Sequence, residues 1–150
     1  MAHRTLDPAV VAVVAVGGVL GAEARYGLNW LWPTAAGQWP LATWVENVSG
    51  AFLLGALMVV LTELTYPHRL VRPFLGVGVL GGYTTFSTAT VEVQTLFRAG
   101  YPGLALGYLV GSVVAALVAV TVGSAAVRGV ARGRQSRDRG LGRAERGAGR

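Results

Sequence analysis

The chain contains no cysteine and no lysine, only two histidines, and few charges of either sign. Without cysteine, disulfides and thiolate metal sites are excluded. His3 and His68 lie far apart in sequence, which argues against a two-histidine metal site. Charged residues make up 13% of the 150-residue chain, about half the share of a soluble domain. What remains is mostly apolar: 53% hydrophobic residues and a mean hydropathy of +0.51. The few charges are unevenly placed. Residues 1–127 hold five arginines and five acids, whereas residues 128–150 hold eight arginines against Asp138 and Glu145. A neutral apolar body is therefore followed by a basic tail.

A bilayer core of about 30 Å needs roughly 20 apolar residues per helix. Four segments meet that length: Pro8–Leu31, Leu41–Leu64, Val71–Phe97 and Pro102–Val127. The connections between them are short, so residues 1–127 are expected to form one all-α, four-helix transmembrane domain. Arg4, the apolar run Ala9–Val16 and Ala22-Glu23-Ala24 imitate a signal peptide. Three further spans make a membrane-embedded first helix the better reading. Trp30, Trp32, Trp39 and Trp44 surround the first connection, as expected of headgroup anchors. The pairs Gly17/Gly21, Gly78/Gly82 and Gly107/Gly111 have the spacing of close helix contacts. Residues 128–150 lack an apolar period and read as a disordered tail whose arginines favour anionic lipid headgroups. The tail has no aromatic interleaving that would suggest nucleic acid.

The third segment contains Gly81-Gly82-Tyr83-Thr84-Thr85-Phe86-Ser87-Thr88. Each glycine costs about 1 kcal/mol relative to alanine in a helix interior. A break is expected here, and irregular backbone at membrane depth is tolerated only when buried in protein or lining a polar path. Unwinding frees carbonyls, which suit a hard cation such as Na⁺. Ser87 and Thr88 add hydroxyl donors, and Phe86 offers a ring edge, the positive part of its quadrupole. The same run also fits a plain glycine hinge whose threonines bond back to the helix.

Other polar residues fall within the spans. Asn47 is an amide in hydrocarbon, where it is functional or interhelical by default, and Thr43 lies one turn away on the same face. Glu46 is expected to face elsewhere, to pair with arginine, or to be hydrated. Arg25 suits either a snorkelling helix end or a positive vestibule that concentrates anions. Tyr108 and Ser112 are spaced i, i+4 and present two hydroxyls together. These are neutral donors that can pass an ion. No triad, phosphate loop or carboxylate pair is present to suggest an enzyme.

Taken in order, the motifs resemble the CrcB/Fluc family of fluoride channels. Gly17-Gly18-Val19-Leu20-Gly21-Ala22-Glu23-Ala24-Arg25-Tyr26 matches GGxxGAxxRY. Thr43 and Asn47 through Gly55 resemble GTLxVNxxGSFLLG, and Gly81–Thr88 resembles GGxTTFST. The resemblance implies a fluoride-specific channel in the cell membrane, built as a dimer of antiparallel four-helix subunits with two narrow paths. It also implies a structural, untransported Na⁺ on the dimer axis, held by carbonyls that map to Gly81 and Thr84. The fluoride path is assigned to Thr43, Asn47, Phe86, Ser87, Thr88, Tyr108 and Ser112, with Arg25 in the vestibule.

Three features depart from the family pattern. A second pore phenylalanine is replaced by Ala89, and Glu46 stands where an apolar residue is usual. The third is the arginine distribution. Arg4, Arg69, Arg72 and the tail arginines share one face, which the positive-inside rule assigns to the cytoplasm together with both termini. A chain confined to one orientation is expected to pair with a similar subunit of opposite orientation rather than with itself. The competing reading is a small four-helix, proton-coupled multidrug exporter with Glu46 as its embedded acid.

Overall fold

The computed structural model describes the backbone of residues 7–148 and the side chains of residues 7–133. His3 and Arg4 lie outside the described residues. The described chain is helical and contains no strand. Its α-helices are α1 (Pro8–Leu31), α2 (Leu41–Val59), α3 (Leu80–Tyr83), α4 (Ser87–Arg98) and α5 (Pro102–Ala148). A π-helical segment, Val60–Leu64, prolongs α2, and another, Pro73–Val79, leads into α3.

Local chemistry sets the ends of these elements. Pro8 stands in the first turn of α1, where its missing N–H costs no hydrogen bond. Asp7 caps that turn by accepting the Ala9 N–H at 2.9 Å. Gly100, at φ 84°, lets the chain turn sharply between α4 and α5.

Three helices are long and apolar enough to cross a membrane: Pro8–Leu31, Leu41–Leu64 and Pro102–Gly133. The first two coincide with the expected spans. The fourth expected span runs on past Val127, and its helical backbone reaches Ala148, where composition suggests a disordered tail. Adding a residue to an existing helix is far easier than nucleating one, and arginine and alanine are good helix formers. Segment 71–97 is divided into pieces, none of which reaches the length of a span by itself.

The packing inverts the usual pattern of a water-soluble protein. Val16, Val19, Leu20, Val114, Leu117 and Val118 are all more than half exposed. The buried set is instead rich in small and polar residues, including Ala42, Ala105, Thr43, Glu46 and Thr85. So much apolar surface is untenable in water but suits lipid contact. The chain is a membrane protein with several apolar helices.

Glycines bring the backbones together. A Cβ on Gly21 would lie 2.0 Å from the Val79 carbonyl oxygen, and one on Gly82 would lie 2.4 Å from that of Gly18. α1 therefore interlocks with the 73–83 segment. α2 and α5 meet in the same way: a Cβ on Gly55 would lie 2.1 Å from the Val120 oxygen, and one on Gly123 would lie 2.2 Å from the Phe52 oxygen. Of the expected pairs, Gly107 differs, because it faces open space.

The bundle has two chemically distinct ends. Asp7–Arg69 and Glu63–Arg128 are ion pairs that join the start of α1, the 65–70 connection, the end of α2 and α5. At the opposite end, Trp39 packs edge-on against Trp44 and Tyr108, with ring centroids 6.4 and 5.4 Å away. Two of the four tryptophans thus take part in internal packing, beyond anchoring. Trp30, 74% exposed, stays on the surface.

Candidate functional site

The central feature is an interruption held open by one side chain. α3 ends at Tyr83, Thr84 is extended at φ −84° and ψ 155°, and helix resumes at Ser87. Asn47 of α2 pairs with Thr85 in both directions. Its Nδ2 donates to the Thr85 carbonyl at 2.8 Å, and its Oδ1 accepts the Thr85 N–H at 2.8 Å. In a continuous helix that N–H would bind the Gly81 carbonyl. The Thr88 N–H is diverted too, donating to Thr85 Oγ1 at 3.1 Å instead of to the Thr84 carbonyl. Gly81 and Thr84 thereby lose the helical partners of their carbonyls.

Thr85 also caps α4. Its hydroxyl accepts the Thr88 N–H, donates to Thr88 Oγ1 at 3.0 Å and lies 3.3 Å from Ser87 Oγ. Ser87 and Thr88 are thus tied into one hydroxyl cluster, organised by a residue that the motif reading leaves without a role. On the other side of the break, Tyr83 Oη lies 2.9 Å from Ser49 Oγ.

Thr43, Glu46 and Asn47 lie within about one turn of α2, and each reaches a different element. Thr43, fully buried, donates its hydroxyl to Glu92 Oε1 at 2.7 Å. The Tyr108 hydroxyl donates to Glu92 Oε2 at 2.7 Å. Glu92 therefore joins α2, α4 and α5 through two neutral hydroxyls. It belongs to none of the quoted motifs, yet an acid inside an apolar segment is itself a signal of function. Glu46, also fully buried, accepts from Asn29 Nδ2 at 2.6 Å. Among the described residues it forms no ion pair, and its Oε2 is buried without a hydrogen-bond partner. Of the expectations that it faces elsewhere, pairs with arginine or is hydrated, the first describes it: it turns away from the Asn47–Thr85 contact to an amide of α1.

Beside the break lies an open cleft of about 430 Å³. Asn47, Thr85, Phe86, Ala89, Tyr108 and Ser112 are among its lining residues, and no Asp, Glu or Arg lines it. Phe86 is 78% exposed. Ser112 Oγ is buried without a hydrogen-bond partner among the described residues. Gly81 and Thr84 border the same cleft, whereas Thr43, Ser87, Thr88 and Arg25 lie outside its lining. Tyr108 contributes its body while its hydroxyl turns to Glu92. The Arg25 carbonyl accepts from Asn29 Nδ2 at 3.0 Å, so the turn bearing Arg25 is joined to the Glu46 contact.

Residues 12–124 match the family model described as CrcB-like protein, Camphor Resistance (CrcB). A Nocardia farcinica protein named fluoride-specific ion channel FluC 2 is 52% identical over 123 residues, covering 82% of this chain and 88% of the relative. A Streptomyces coelicolor protein named fluoride-specific ion channel FluC 1 is 50% identical over 133 residues, covering 89% and 86%. A Paracoccus denitrificans protein named fluoride-specific ion channel FluC is 42% identical over 117 residues, covering 78% and 93%. With a family match that runs from α1 into α5 and includes the whole break, the chain belongs to the CrcB family.

Proposed function

We propose that the chain is a subunit of a fluoride-specific channel that lets cytoplasmic fluoride leave the cell passively. The observation that carries this reading is the lining of the cleft: neutral donors and apolar walls without a formal charge. A strongly hydrated anion needs donors in place of water, while a fixed cation would hold it too tightly to pass. Ser112 offers an unengaged hydroxyl, Asn47 retains a second N–H, and Phe86 presents an exposed ring whose edge is positive. Ser87 and Thr88 extend the hydroxyls beyond the break. Glu92 fixes Thr43 and Tyr108 at one end of this track. The relatives' names support fluoride as the ion.

Segments 73–83 and 87–98 together form the fourth crossing on this reading, broken near mid-membrane. The open cleft and exposed Phe86 are then completed by a second subunit inserted antiparallel. The freed carbonyls of Gly81 and Thr84 fit a hard cation, because both are uncharged oxygens without their helical donors. Na⁺ bound there would balance the converging carbonyl dipoles and stiffen the break. The arginine-rich end, with both chain termini, faces the cytoplasm. One-sided arginines and the missing ring at Ala89 favour a related partner of opposite orientation over a second identical copy.

The test is fluoride efflux from proteoliposomes, read with a fluoride electrode, for the chain alone and together with a related chain of reversed arginine bias. Fluoride-selective efflux is expected from the two chains together, with chloride retained. Absence of efflux from both sinks the channel reading. Robust efflux from the chain alone, or equal labelling of its terminus on both membrane faces, sinks the mixed dimer and leaves the channel intact.

A further inference from the structure

α1 is gripped along its first two thirds and nearly free along its last third. Gly17, Gly18, Gly21 and Ala22 lie against the 74–83 backbone. Beyond them α3 ends at Tyr83 and the chain turns away toward α4. Tyr26, Trp30 and Leu31 are 69%, 74% and 61% exposed, and a Cβ on Gly27 would meet nothing within 4 Å. Within this loosely held stretch lies Arg25.

One polar contact reaches it from α2. Glu46 Oε1 accepts from Asn29 Nδ2 at 2.6 Å, and the same nitrogen donates to the Arg25 carbonyl at 3.0 Å. Glu46 is completely buried, so water does not compete for the bond. Arg25 and Asn29 are one turn apart on the same face of α1, the face from which Asn29 reaches α2. An apolar residue at position 46 would leave the Asn29 amide without this partner.

We propose that Glu46 is a positioning residue: through Asn29 it docks the last third of α1 onto α2, and so holds the Arg25 guanidinium where it captures anions at the mouth opposite the termini. This rests on the fluoride-path reading above. Glu46 itself touches no ion. Asn29 is the amide that stands opposite it.

Efflux at low and high ionic strength tests the capture role. Wild type is expected to slow as salt screens Arg25. Glu46→Gln keeps an acceptor oxygen for Asn29 and should keep that salt dependence. Glu46→Val should lose it and fall about tenfold, to the level of Arg25→Gln, and combining the two should add nothing further. Retained salt dependence in Glu46→Val, or multiplying effects in the double variant, overturns the proposal. A second measurement does not depend on fluoride. The chain lacks cysteine, so spin labels at Gly27→Cys and Leu41→Cys report the α1–α2 distance directly. One narrow distance is expected in wild type and Glu46→Gln, and a broad one in Glu46→Val. Identical distributions in all three overturn the clasp, whereas a wild type that passes no fluoride even together with the related chain overturns the path reading alone.

Discussion

The two ends of the bundle use carboxylates in opposite ways. At the end where α1 begins, Asp7 and Glu63 face Arg69 and Arg128, with side chains 36% and 41% exposed. At the other end Glu46 and Glu92 sit among α1, α2, α4 and α5 and are held by an amide and two hydroxyls. Exposed ion pairs are screened and contribute little. A carboxylate in the membrane interior is costly where it is not fully engaged, and Glu46 Oε2 is buried without a hydrogen-bond partner among the described residues. The first end can therefore tolerate change that the second cannot, and the polar ties of the second end adjoin the proposed path.

The largest effect is expected where the interior polar face meets the break. Asn47→Ala removes both bonds to Thr85, and two bonds of about 1.4 kcal/mol each correspond to roughly a hundredfold loss of fluoride efflux. Circular dichroism should remain helical, because the helices on either side do not depend on Asn47. Unchanged efflux would mean that the break is set by Gly81 and Gly82 alone. Next is Glu92→Leu, which strands the Thr43 and Tyr108 hydroxyls. A loss of about 2–4 kcal/mol in unfolding free energy is expected from two unsatisfied donors. Glu92→Gln should cost less, since its amide oxygen still accepts one of them.

Gly21→Val sharpens the comparison from the apolar side. A Cβ there would lie 2.0 Å from a backbone oxygen, so the helices must separate, at about 1–3 kcal/mol. A lowered melting temperature in detergent should report it. Gly107→Ala, at a glycine with open space around it, should leave the melting temperature unchanged. At the end where α1 begins, Glu63→Gln should shift the melting temperature only slightly, and added salt should erase the difference.

The smallest effect is a pH dependence at Asp7. The Ala9 N–H, then the Arg69 side chain, hold its carboxyl below the ordinary value of 3.8. Its stabilising contribution is thus present at neutral pH and through mild acid. It is lost only as pH falls through that depressed value. Asp7→Asn should match wild type in a strongly acidic melt and differ slightly at neutral pH. A difference that grew on acidification would reverse the assignment.

Some of this is legible in the residues and some is not. Apolar length alone marks α1, α2 and α5, because a lipid environment leaves backbone groups no partner outside the helix. The helix-poor Gly81–Thr88 run marks where regular structure stops, and Asn47 is conspicuous as an amide among apolar neighbours. What Asn47 holds is not legible, since Thr85 is 38 residues away and its hydroxyl reads equally well as a path donor. Glu92 is passed over because no local pattern names its partners, which come from α2 and α5.

The amino-acid order by itself thus determined a membrane chain of apolar helices with a weak point and a one-sided arginine distribution. Each is a local or additive property of the residues. The tertiary structure alone decided which glycines interlock and which remain open, that Asn47 clasps Thr85, and that Glu46 meets Asn29 while Glu92 gathers Thr43 and Tyr108. Those pairings join residues up to 49 positions apart, and their geometry exists only once the helices have packed.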